Sequence, residues 1–170
     1  LMVGVGMILT AFAFVVALSS IMAPAGSLNN PSGRLRLNDL GSFMLAFVII
    51  WSYLAYSQYM LIWAANITEE VPWYLARLNN GWQYVSIAIL ILNFALPLSV
   101  LIFRDVKRNR WLLAAIAAFT FLTRVIDTYW LVVPSFEEAG WGALLPSIAA
   151  FIGMGGLFVA FFAYHLAQAP

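Results

Sequence analysis

Arg124 and Asp127 stand three residues apart in the stretch Phe121-Leu-Thr-Arg-Val-Ile-Asp-Thr-Tyr-Trp130, inside an otherwise apolar run from Trp111 to Val133. A carboxylate beside a guanidinium can take up, hold or release a proton. At a helical spacing of three the two side chains share a face and neutralise each other. A charge near the middle of a bilayer costs about 2.5–3.5 kcal/mol on insertion scales, so it persists where it is paired, faces a bundle interior or serves a pathway. Two readings follow: an ion pair that ties this helix to its neighbours, or a station on a proton or substrate path through the membrane.

Five further residues are candidates for such a path: Asp39, His165, Gln58, Tyr59 and Asn93. Each also has a structural reading. Asp39 with Asn38 is placed to cap a helix starting at Leu40, because a short acceptor side chain satisfies the free amides of a first turn. Tyr59 belongs to the aromatic belt of a membrane interface, as His165 does to a polar helix end. Gln58 is suited to hydrogen bonding with a neighbouring helix. Asn93 lies one turn before Pro97, where its amide could occupy backbone groups freed by the proline.

Composition sets the context for these groups. Hydrophobic residues make up 64% of the 170 positions and charged residues 9%, with mean hydropathy +0.93, far from the balance of a soluble domain. The sequence is that of an all-α, polytopic membrane protein with a lipid bilayer for its surroundings. A net charge of +1 carries no information on partners. With no cysteine there is no disulfide, iron–sulfur cluster or thiolate-bound zinc. With one histidine there is no bis-histidine haem within this chain. No phosphate-binding loop, dinucleotide fingerprint, metal-ligand spacing or nucleophilic triad is present, and nothing supports nucleic-acid binding. The chain is expected to hold no metal or cofactor of its own, so its chemistry is protonic or belongs to a partner's redox centre.

The elements that must position the candidates are five helices of membrane-spanning length, at about residues 1–22, 40–65, 81–103, 111–133 and 146–166, forming a single bundle. The first ends at Ala23-Pro24-Ala25-Gly26 and lacks the basic start of a signal peptide. Residues 66–80 read as an interfacial turn or short surface helix. The third helix is interrupted by Pro97, 104–110 is a tight basic loop, and Gly153-Met154-Gly155-Gly156 offers close packing or a flexible point. A start at Leu1 inside an apolar run suggests a piece of a longer protein.

Arg34, Arg36, Arg104, Lys107, Arg108 and Arg110 lie in the alternate loops 23–38 and 104–110, against Arg77 alone on the other side. The positive-inside rule then puts those two loops and the C-terminus in the cytoplasm. At about 1.5 Å per residue, Arg124 and Asp127 fall roughly 20–24 Å from the cytoplasmic start of their helix, in the outer half of the membrane. Gln58 and Tyr59 fall at similar or greater depth. Asp39 and His165 sit at cytoplasmic ends, and Asn93 lies between. An inner and an outer polar cluster separated by apolar residues is the layout of two half-channels for protons.

Residues 38–134 also resemble a known family. The stretches Asn38-Asp39-Leu40-Gly41, Trp51-Ser52-Tyr53, Tyr56-Ser57-Gln58-Tyr59, Asn66-Ile67-Thr68-Glu69-Glu70, Pro72-Trp73-Tyr74, Asn93-Phe94-Ala95-Leu96-Pro97, Arg104-Asp105-Val106-Lys107-Arg108-Asn109 and Arg124-Val125-Ile126-Asp127 resemble the later half of the ActF-type membrane subunit of bacterial alternative complex III. That family belongs with the NrfD and polysulfide-reductase membrane anchors. The resemblance implies half of a ten-helix protein of the bacterial cytoplasmic membrane, within a quinol:cytochrome c (or oxidase) electron-transfer complex. It implies partner subunits that carry haem c and iron–sulfur clusters, a quinol or menaquinol reductant, and membrane subunits that bind quinol or conduct protons. The family's conducting positions carry over onto Arg124 and Asp127. Asparagines at 38 and 93 depart from the histidines expected there, and an amide cannot relay a proton by titrating. A purely structural anchor subunit, and a secondary transporter with a broken helix at Pro97 or Gly153–Gly156, remain the alternatives.

Overall fold

The computed structural model of the chain describes residues 1–22, 31–66, 68–78, 81–133 and 144–168. They form α1 (Met2–Met22), α2 (Pro31–Ala65), the short α3 (Val71–Ala76), α4 (Trp82–Ile89), a π turn (Leu90–Ala95), α5 (Leu96–Leu101), the short α6 (Arg104–Arg108), α7 (Arg110–Val132) and α8 (Leu144–Gln168). Among the described residues there is no strand. Among the described residues five spans are long and apolar enough to cross a membrane: α1, α2, the run Trp82–Leu101, α7 and Leu145–His165 of α8. The chain is thus a polytopic membrane helix protein. It divides into two compact units, Leu1–Leu131 and Val132–Pro170. The expected helix stop at Pro24-Gly26 and the loop with Glu137 and Glu138 lie outside the described residues.

In the first unit α2 is the central element. The buried residues of α1 recur as Gly6, Leu9, Ala13, Val16 and Ser20, and those of α2 as Gly33, Leu37, Gly41, Met44, Val48 and Trp51. Both series repeat at intervals of three and four and so form one stripe each. The pairing of Phe12 with Phe47, ring centroids 5.6 Å apart, and of Gly6 with Trp51 makes the two helices antiparallel. Lipid supplies no hydrophobic force between helices, so close approach rests on the small residues in these stripes. Ile89 of α4, Leu101 of α5 and Leu113, Ile116 and Ala117 of α7 complete the core.

Four hydroxyls inside the spans bond to their own helix. Thr10 donates to the carbonyl of Gly6, Ser52 to that of Val48, Thr120 to that of Ile116 and Thr128 to that of Arg124, each at 2.8–2.9 Å. That is how an isolated hydroxyl is satisfied where water is excluded.

Three boundaries differ from the sequence reading. α2 begins at Pro31, nine residues before Leu40, so Asp39 lies within the helix and caps nothing. Proline suits a first turn, where its missing N–H has no helical partner, and the exposed Arg34 and Arg36 let the helix continue into a polar phase. The break in the third span comes before Pro97, as a π turn: Leu96 N–H bonds to Ile91 O, five residues back. Pro97 offers no N–H to the carbonyl of Asn93, and its ring crowds that carbonyl, which widens the preceding turn. The basic segment 104–110 contains a turn of helix, and Asn109 caps α7 by accepting from the N–H groups of Trp111 and Leu112 at 3.0 and 3.4 Å. The short surface helix expected between 66 and 80 is α3. It is reached through Asn66 in the left-handed region (φ 47°), which ends α2, and left through Gly81 (φ 85°).

In the second unit α8 runs unbroken through Gly153–Gly156, so these glycines open no gap in the helix.

Candidate functional site

α7 buries one face along its length: Leu113, Ala114, Ile116, Ala117, Thr120, Thr123, Arg124 and Asp127. That face is apolar in its first half and polar in its second. Arg124 Nη1 donates to Asp127 Oδ2 at 2.6 Å, and both side chains are about 95% buried. A charge-assisted contact of this length is what lets the pair remain buried.

Three neighbours shape the site. The guanidinium carbon of Arg124 lies 4.6 Å above the ring of Trp51 from α2, and an aromatic face stabilises a desolvated cation by about 2 kcal/mol. Gly6 of α1 leaves the room that Arg124 fills: a β-carbon at residue 6 would collide with Nη2. Phe14 and Phe121, 5.8 Å apart, join α1 and α7 further along.

Between these helices is a cavity of about 330 Å³, lined by Gly6, Met7 and Thr10 of α1, Trp51 of α2, and Arg124, Asp127 and Thr128 of α7 among others. Arg124 Nε, Asp127 Oδ1 and Trp51 Nε1 are buried and have no hydrogen-bond partner among the described residues. Two donors and one acceptor thus go unpaired on residues that line the cavity, beside the hydroxyl-bearing Thr10 and Thr128. A buried polar atom left unbonded costs about 1–3 kcal/mol. The carboxylate is the group able to exchange a proton, since a guanidinium retains its own across the physiological range.

A second polar contact adjoins the first. Asn93, fully buried in the π turn, accepts from Thr123 Oγ1 at 2.8 Å, and its amide Nδ2 lies 3.4 Å from the Thr123 carbonyl. Asn93 therefore bridges to α7, one residue from Arg124, and does not serve the backbone freed by Pro97. A π turn points its residues in directions a regular helix does not, and such turns are frequent at functional sites.

The other candidates lie elsewhere. Gln58 and Tyr59 are exposed on α2, and Tyr59 packs edge-on against Tyr74 with centroids 5.5 Å apart. Arg124 meets Trp51 on α2, and Gln58 lies seven residues, roughly 10 Å, further along that helix, about two turns away. Trp51 occupies the matching level. Asp39 is exposed. His165 belongs to the second unit, where its ring lies edge-on to Phe161 at 4.4 Å and near Tyr164 at 5.7 Å.

Four residues that do structural or chemical work carried little sequence signal: Trp51, Gly6, Lys107 and Arg77. Lys107 is buried, crosses Gly41 and donates to Ser42 Oγ at 3.1 Å. Arg77 is 1% exposed. It donates to the carbonyls of Trp73 (2.6 Å), Trp130 (3.2 Å) and Leu131 (2.6 Å) and lies 3.5 Å over the Trp73 ring. It clamps α3 to the end of α7. Burial lowers its pKa to about 10, with Tyr74 acting in the opposite direction. The Tyr74 phenol is pushed up, by burial first and by Glu70 second.

Comparison with known proteins finds no matching family model and no matching curated protein.

Proposed function

We propose that this chain is an integral membrane subunit of a quinol-oxidising electron-transfer complex and that the cleft at Arg124 and Asp127 handles protons for it. One observation carries the reading: a buried carboxylate, held on one oxygen by Arg124 and without a partner on the other among the described residues, belongs to a residue on the wall of a cavity between α1, α2 and α7. An ion pair kept only for structure gains nothing from such an opening. Ionisable residues that line intramembrane cavities mark proton and substrate routes. The resemblance of residues 38–134 to the ActF-type subunit of alternative complex III supports the choice of complex, with haem c and iron–sulfur clusters in partner subunits and quinol or menaquinol as reductant. The basic residues of 104–110 and of the start of α2 support a cytoplasmic position for that end of the bundle.

The proton path proposed here differs from a pair of half-channels with Asp39 and His165 at the inner end and Arg124 with Asp127 at the outer. It consists of the cleft, Asp127 with Arg124, and Thr123 with Asn93 behind them. Asp127→Asn in the assembled complex tests it. Loss of quinol-driven proton translocation with the subunit still incorporated is the expected result; unchanged translocation and turnover would remove the functional role of Asp127. The structural-anchor reading rests on the 2.6 Å ion pair and predicts that Arg124→Met with Asp127→Leu leaves assembly and turnover near normal. The transporter reading would rest on the π turn before Pro97 alone, since α8 runs unbroken through Gly153–Gly156.

A further inference from the structure

A second cavity lies at the opposite end of the first unit from Asp127, and no proton chemistry is assigned to it. It measures about 430 Å³ and is lined by Pro31, Arg34 and Leu35 of α2 and by Arg108 of α6. Two guanidinium-bearing residues from different helices thus face one space, beside the apolar Leu35, which is 56% exposed. Among the described residues the one ion pair is that of Arg124 with Asp127, so neither Arg34 nor Arg108 has a carboxylate partner. Positive charges brought together without compensation repel, and an anion between them removes the repulsion. Guanidinium groups bind phosphate oxygens through paired N–H donors, which fixes the class of anion.

We infer that this cavity is a binding site for the phosphodiester headgroup of an anionic phospholipid. A lipid is favoured over a free phosphate because the arginines sit at the mouth of membrane-spanning helices. Leu35 on the cavity wall and Ile102 and Phe103 next to α6, 58% and 64% exposed, provide the apolar surface for acyl chains. Basic pockets between spanning helices are recognised headgroup sites. Lys107, by contrast, is turned inward onto Gly41 and Ser42 and holds α6 against α2, which keeps Arg108 at the cavity.

The test is native mass spectrometry of the full chain taken from phosphatidylcholine vesicles that contain phosphatidylglycerol. The wild type is expected to retain phosphatidylglycerol over phosphatidylcholine by about tenfold or more. Arg34→Gln with Arg108→Gln should bring retention of the two lipids to within about twofold, and Arg34→Lys with Arg108→Lys should restore part of the preference. Arg36→Gln with Arg104→Gln, which changes charge at the same end but outside the cavity, should leave the preference intact. An equal loss in that control pair would replace the site by diffuse surface charge and overturn the inference. So would equal retention of the two lipids by the wild type. Displacement of phosphatidylglycerol by millimolar inorganic phosphate would reassign the site to a free anion and overturn it as well.

Discussion

At the scale of single residues, the site depends on compensation among groups that are each unfavourable alone. Removing one partner of a buried ion pair strands the other. Asp127→Ala is therefore expected to destabilise the bundle by about 3–5 kcal/mol, whereas Arg124→Met with Asp127→Leu should fall within about 1 kcal/mol of the wild type. Thermal unfolding in detergent separates these outcomes, and a double variant as unstable as the single one would show that the pair contributes more than mutual neutralisation. Gly6 supplies the space for the guanidinium. Gly6→Ala should cost about 1–3 kcal/mol by overpacking and reduce proton translocation, while Gly4→Ala, with open space around it, should be nearly silent. Asp127 and Arg124 were legible from sequence because a charge in an apolar run is conspicuous. Gly6 and Trp51 were not, since a glycine and a tryptophan are ordinary in a spanning helix and acquire a role only through the packing register of α1 and α2.

At the scale of the element, α7 and the π turn show what periodicity could and could not convey. The buried face of α7 follows directly from its repeat. The number and approximate limits of the spans are equally plain in the hydropathy pattern. The π turn is not, because Pro97 signals a disturbance without saying which turn absorbs it. The Asn93 to Thr123 contact depends on that turn. Thr123→Val leaves the buried Asn93 oxygen without its donor and should lower stability by about 1–3 kcal/mol. Pro97→Ala restores the missing N–H and should tighten the turn. Hydrogen exchange at residues 90–96 is then expected to slow, and unchanged exchange would show that the widened turn has another cause. The early start of α2 was also hidden, because polar residues of a helix that leaves the membrane look like a loop.

At the scale of the whole molecule, the chain separates two environments along the first unit: a cluster of exposed arginines at one end and the Arg77 clamp at the other. If the basic end is cytoplasmic, as proposed, a cysteine placed at Arg108 should be labelled by an impermeant thiol reagent only from the cytoplasmic side, and one placed at Glu69 only from the opposite side. The cysteine-free sequence makes that measurement direct. Labelling with the reverse pattern would invert the proposed orientation of the bundle without altering the residues of the proton path. Arg77 lies at the far end and joins α3 to α7 through three carbonyls. Arg77→Met should loosen α3 while leaving the Arg124 to Asp127 contact intact, which protease accessibility of residues 68–78 would report.

The central claim is that Asp127 exchanges a proton during turnover. Infrared difference spectra of the assembled complex, recorded between its oxidised and quinol-reduced states, report this at the carboxyl group itself. A carboxyl band that shifts in deuterium oxide and vanishes in Asp127→Asn is the predicted result. A spectrum that is the same in wild type and variant would mean that the carboxylate stays ionised beside Arg124 throughout, and that the pair only holds the helices together.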